Sequence, residues 1–183
     1  QMKQLFTKKD KATLGIYLIR YFAYTVEILV LFVIQQTPGL FPEVYGARPV
    51  PVLTAVIAVA MFESETAGMA FGLLAGLLTD LGMGNTLGFH ALLMAVFCYA
   101  VGIMAKNLIQ TNLLTAILLG AGILAFVFFF QWVFYYVLNP NNDQFWHVLA
   151  RHYFPRLLYT WAFMPLLYLF NRAFALLIRP PVE

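Results

Sequence analysis

Few side chains in this sequence could carry out chemistry. Its 183 residues include one serine, Ser64, one cysteine, Cys98, and three histidines, His90, His147 and His152. Ser64 stands between Glu63 and Glu65 with no base nearby, so it lacks the activation that a serine nucleophile needs. The two glutamates are i and i+2, which do not face one another on a helix, and in a polar turn they are solvated. Cys98 has no second cysteine, which excludes an intrachain disulfide and a cysteine-based zinc site. His147 and His152 are five apart, not the i, i+4 of a helical zinc pair. Two pairs remain. Asp80 and His90 flank a turn containing Gly82, Gly84 and Asn85, where a carboxylate caps free amides of the turn or of the next helix and the histidine is its partner. Arg20 and Glu27 lie seven apart in an apolar run, about 10 Å along a helix. Arg20 can snorkel to one surface, whereas Glu27 lies deeper, neutral or paired with another helix. Tyr17, Tyr21 and Tyr24 on the same run read as packing and interface residues. No catalytic or metal constellation can be assembled, so no enzyme and no cofactor are expected.

The elements that must hold these residues follow from composition. The chain is 62% hydrophobic and only 10% charged, with a mean hydropathy of +0.81. A soluble domain carries about a quarter charged residues, so this is a polytopic, all-α membrane bundle. We expect one integral membrane domain over 1–183, with about six transmembrane helices at 12–34, 50–64, 66–82, 87–105, 113–138 and 155–179. The second and third runs are short and need extension or shielding by neighbours. Pro165 predicts a kink in the last. The segment 140–153 reads as an outer interfacial helix, capped by Asn142 or Asp143 and carrying an aromatic belt. Lys3, Lys8, Lys9, Lys11, Lys106, Arg172 and Arg179 fall on one side of six crossings, and Arg48, Arg151 and Arg156 on the other. The positive-inside rule then places both termini in the cytoplasm. The basic start precedes a run too long for a signal peptide, so we expect an uncleaved first helix. The formal net charge of +3 is scattered along loops, and no nucleic-acid partner is expected.

Gly68, Gly72 and Gly76 recur every four residues and form one smooth helical stripe that Asp80 continues. Small residues let another backbone approach closely, a main source of helix association in lipid. The stripe serves either internal packing or a partner's helix. On this reading Gly76, next to Asp80, acts on folding. Gly68 is the better partner-facing position, together with Arg20 and Glu27.

The stretch from Arg48 to Gly102 carries a resemblance. After Arg48-Pro49 and an apolar helix comes G-x-x-x-G-L-L-A-G-L-L-T-D-L-G-M-G-N-T-L-G-F-H-A-L, from Gly68 to Leu92. This resembles the bacterial rod shape-determining protein MreD family. The matching positions are Gly76, Leu77, Leu78, Asp80, Gly84, Leu87, Gly88, His90, Ala91 and Leu92, with Gly72 and the Arg-Pro pair as further motif residues. The family often carries an acidic residue straight after the Arg-Pro, where this chain has Val50. The resemblance implies a non-enzymatic, multi-pass protein of the bacterial inner membrane. Its implied partners are the bitopic protein MreC, the MreB cytoskeleton, and the RodA polymerase with its class B penicillin-binding transpeptidase. The arrangement also distantly resembles the substrate-binding S-components of energy-coupling-factor vitamin transporters, which implies an alternative: a subunit that binds a small molecule.

Overall fold

The long apolar runs fold as helices, because in lipid a helix satisfies its own backbone. The structure, a computed structural model, describes residues 8–84, 87–138 and 145–178. Asn85, Thr86, Asn142, Asp143, Lys3 and Arg179 lie outside the described residues, as do the side chains of Lys8, Lys9 and Lys11. The helices are α1 (Lys8–Gln36), α2 (Pro51–Phe62), α3 (Glu65–Met83), α4 (Phe89–Asn107), α5 (Leu113–Leu138), α6 (Phe145–Val148), α7 (Phe154–Ala162) and α8 (Met164–Leu177). A π-helical turn, Leu149–Tyr153, joins α6 to α7. Among the described residues there is no β-strand beyond one isolated bridge, Val44 to Ala47. That bridge closes a tight turn in which Tyr45 and Gly46 both take positive φ, 53° and 74°. This is the pattern of a two-residue type I′ turn.

The protein is a polytopic helical bundle. Among the described residues, five segments are long and apolar enough to cross a membrane: Thr13–Gln36, Glu65–Met83, Phe89–Asn107, Leu113–Leu138 and Phe145–Leu177. The sixth expected span differs in kind. α2 has 12 residues, about 18 Å of helix against a hydrocarbon thickness of about 30 Å. Every residue from Pro51 to Met61 is buried. α2 packs against α1, α3, α4, α5, α7 and α8 and forms the axis of the bundle. Its sequence, P-V-L-T-A-V-I-A-V-A-M-F, has no polar face, the pattern of a helix enclosed on all sides. Pro51 in its first turn starts it without loss of a needed donor.

The last span departs from one uninterrupted helix over 155–179. It breaks at Phe163, between α7 and α8, with Pro165 in the first turn of α8, where its missing N–H is harmless. The expected interfacial segment lies partly outside the described residues. Its described part, Phe145–Tyr153, runs straight into α7, anchored where Trp132 Nε1 donates to the carbonyl of Phe145 at 3.3 Å.

α3 and α4 pair most intimately, as an antiparallel hairpin zipped by the glycine stripe. A Cβ on Gly76 would lie 2.4 Å from Ala91 Cα, and one on Gly72 would lie 2.5 Å from the carbonyl oxygen of Met94. A Cβ on Gly68 would lie 3.2 Å from both the Cys98 carbonyl oxygen and the Ala60 side chain of α2. From the other side, a Cβ on Gly102 would lie 2.6 Å from Glu65 Cα. The paired residues keep a nearly constant register, so backbones touch along the whole hairpin. The stripe is therefore internal. Gly68, expected to face a partner, is covered by α2 and α4 instead.

Candidate functional site

Among the described residues three polar centres stand out in the bundle. The first lies at the end of α3. Asp80 and His90 are both fully buried. Asp80 Oδ2 accepts from the amides of Gly88 at 2.9 Å and Ala91 at 3.3 Å. Oδ1 accepts from the amide of His90 at 3.1 Å and pairs with His90 Nδ1 at 2.7 Å. These are first-turn amides of α4, which a helix cannot satisfy by itself. Gly88, in the N-cap place with φ 99°, has no side chain to do so. One carboxylate from the preceding helix thus caps the next, and its acceptance from Nδ1 fixes the histidine tautomer. Gly84 ends α3 in the left-handed region at φ 62°, where glycine carries no Cβ penalty. Leu87 of the same motif is exposed.

Two side chains the sequence did not single out surround this centre. Gln131 of α5 comes beside the His90 ring without closing a hydrogen bond. Arg156 of α7 lies with Nη2 3.1 Å from Met83 Sδ and its guanidinium 5.5 Å from the centre of the Phe128 ring. Arg156, expected on the outer side at the start of the last span, stands in the first turn of α7 and folds in over α3 and α5. His90 Nε2, Gln131 Oε1 and Arg156 Nε are buried without a hydrogen-bond partner among the described residues.

The second centre lies at the far end of α2. Arg20 from α1 is ion-paired through Nε with Glu63 at 2.5 Å, and its Nη2 donates to the Phe62 carbonyl at 3.2 Å. The guanidinium caps the exposed carbonyls and negative dipole end of α2. Tyr24, 1% exposed, accepts from Arg20 Nε at 3.3 Å. Two expectations fail here. Arg20 does not snorkel to the surface but turns inward and is 7% exposed. Glu63 is not solvated, since its side chain keeps only 4% exposure. Burial pushes the Glu63 carboxyl above the usual carboxylate range, and Arg20 opposes that shift. Glu65 does remain near the surface, 3.7 Å from Lys106.

The third centre is Glu27, midway along α1. Asn171 of α8 donates from Nδ2 to Glu27 Oε1 at 2.8 Å and to the Leu167 carbonyl at 2.9 Å. Glu27 is paired with another helix, one of its two expected states. It also lines a groove of about 650 Å³ between α1 and α8, walled by residues such as Phe22, Val26, Val30, Phe170 and Phe174.

The Arg-Pro motif lies apart from all three. Arg48 is exposed and paired with Glu43 at 2.6 Å. Pro49 is buried, and the amide of Val50 donates to Thr160 Oγ1 at 3.1 Å. Beside the π-helical turn a further pocket of about 440 Å³ is lined by Tyr45, Tyr135, His147, Arg151, His152 and Tyr153. Among the described residues no group of three His, Cys, Asp or Glu side chains is placed to hold a metal ion.

Each centre joins helices: α3 to α4, α1 to the end of α2, and α1 to α8. None sets a nucleophile beside a base in an open cleft. Compared with known proteins, the chain matches the family model described as rod shape-determining protein MreD, over residues 16–178. No curated protein and no solved structure matches it.

Proposed function

The chain belongs to the rod shape-determining protein MreD family, and from that premise we propose that it is a non-enzymatic membrane component of the rod elongation complex. In this reading it resides in the bacterial inner membrane with both termini in the cytoplasm. It binds the bitopic protein MreC and thereby helps couple MreB filaments inside to peptidoglycan synthesis by RodA and its class B transpeptidase outside. The observation that carries the reading is the family match across nearly the whole bundle. The polar centres support it, because they serve helix–helix contacts, as a scaffold requires. The test is copurification of the full chain with full-length MreC from native membranes, followed by mass spectrometry of the retained proteins. A chain that retains no MreC and fails to restore rod shape in a strain lacking its own MreD would overturn it.

A second reading, a small-molecule-binding subunit like the transporter S-components, is favoured by one observation: the pocket of about 440 Å³ with Arg151, His147 and His152 on its wall. Native mass spectrometry of the purified chain distinguishes the two. A stoichiometric small molecule, lost on Arg151→Ala, would support the second, and MreC retention without one supports the first.

A further inference from the structure

We propose that the groove between α1 and α8 seats the membrane-crossing helix of the bitopic partner, and that this helix brings a hydrogen-bond donor to Glu27. The proposal rests on the reading above that the chain binds such a partner. It goes further by assigning the surface and the chemistry.

α1 is the least covered of the spanning segments, with 17% of its apolar window buried, against 33–39% for the others. Phe22 is 71% exposed and Ile19 61%. The groove runs from Ile19 to Val30 on one wall and from Leu166 to Ile178 on the other, about three helical turns. Apolar walls alone do not name an occupant, since lipid tails are as apolar as leucine.

Glu27 supplies the discrimination. It lines the groove, and Asn171 gives it one donor. The other Asn171 amide hydrogen goes to Leu167, and Asn171 Oδ1, fully buried, has no partner among the described residues. Glu27, at the groove wall, thus has Asn171 as its one donor given by the protein, and Asn171 itself is buried behind it. The assignment of the Asn171 amide follows from its two neighbours, both of which accept. A carboxylate facing hydrocarbon is costly, and an acyl chain has nothing to donate. A second helix carrying a hydroxyl, amide, indole or cationic side chain at that depth does. The occupant is therefore a helix with one polar, donating residue in an otherwise apolar span.

The experiment uses the full chain coexpressed with full-length MreC in membranes. A photoreactive benzoyl-phenylalanine replaces Phe22, Val26 or Phe170 in the groove. The comparison positions are Leu92 and Leu118, exposed on α4 and α5. We expect MreC adducts from the groove positions and none from the others. Glu27→Leu should lower retained MreC about tenfold with an unchanged size-exclusion profile, whereas Glu27→Gln, which keeps an acceptor, should retain most of it. Adducts to MreC at Leu92 or Leu118 alone would overturn the groove and leave MreC binding intact. Groove adducts only to lipid or to a second copy of this chain would do the same. No MreC adduct anywhere, with no copurification, would overturn both readings. Full retention by Glu27→Leu would remove the donor from the proposal.

Discussion

The α3–α4 seam and the α1–α8 seam solve the same problem in opposite ways. Along α3 and α4, Gly68, Gly72, Gly76 and Gly102 let backbone meet backbone, and the buried carboxylate, Asp80, is saturated by three amides and a histidine. Along α1 and α8 the facing residues are large, a groove remains, and Glu27 holds one donor. Small residues close an interface and give it dispersion contacts along its length. Bulky residues around a partly satisfied polar group leave it able to accept something else. The difference separates a seam built for stability from one fit for binding. The same carboxylate chemistry serves a cap in the first and a point of recognition in the second.

Four substitutions break or sharpen that contrast. The largest effect belongs to Gly76→Leu, whose side chain would have to displace the backbone of Ala91 and His90. We expect a loss of about 3 kcal/mol or more, read as collapse of the monodisperse peak after mild heating in detergent. A well-behaved variant would mean the seam is looser than its contacts imply. Arg20→Leu comes next, because it strands Glu63 and the end of α2 without a cation. Leaving one buried charge unpaired typically costs about 3 kcal/mol, and adding Glu63→Gln to it should restore part of the lost thermal midpoint. If the double variant melts no higher than the single one, the pair is not the reason. Asp80→Asn should cost less, about 1–2 kcal/mol, since one oxygen still accepts while the new amide faces donors. Folding intact with rod shape lost would assign a charge-dependent role to Asp80 beyond capping. The smallest change in stability is expected for Glu27→Leu, under about 1 kcal/mol, because Asn171 keeps its bond to Leu167. A stability loss as large as that of Gly76→Leu would make the α1–α8 seam structural too.

What could be read from the chain alone follows the distance over which each contact acts. The Asp80 cap reaches eight to eleven residues ahead, across a turn marked by glycines, so residue types and order disclose it. The glycine stripe was equally plain as a period of four. Which helix filled it was not, because a smooth face does not name its partner. Asn171 bonds Glu27 across 144 positions, and the Arg20–Glu63 pair joins α1 to the end of α2. Such pairings exist only after assembly, and so Glu63 read as a solvated turn residue. The contacts of Arg156 with Phe128 and Met83 were hidden for the same reason. α2 was legible as a short apolar helix needing shielding, and its signature of enclosure was present too: twelve residues, apolar on every side, begun by a proline.

The enclosure of α2 also dictates an order of events during synthesis. A helix about 18 Å long is shorter than the hydrocarbon is thick, and with no lipid-facing side it has no stable station of its own in the bilayer. Its walls are α1, α3, α4, α5, α7 and α8, and most of them emerge later. Roughly a hundred residues separate Phe62 from Met164, about 5–20 s of translation. Over that interval α2 is sheltered on fewer sides than the finished bundle gives it, and the arrival of α8 is what encloses it. A nascent chain halted before Met164 should therefore expose a cysteine placed at Val56 to a membrane-permeant thiol reagent, and the completed chain should protect it. In that order α8 acts as the latch on a helix laid down about a hundred residues earlier, so the seating of α2 is a late event.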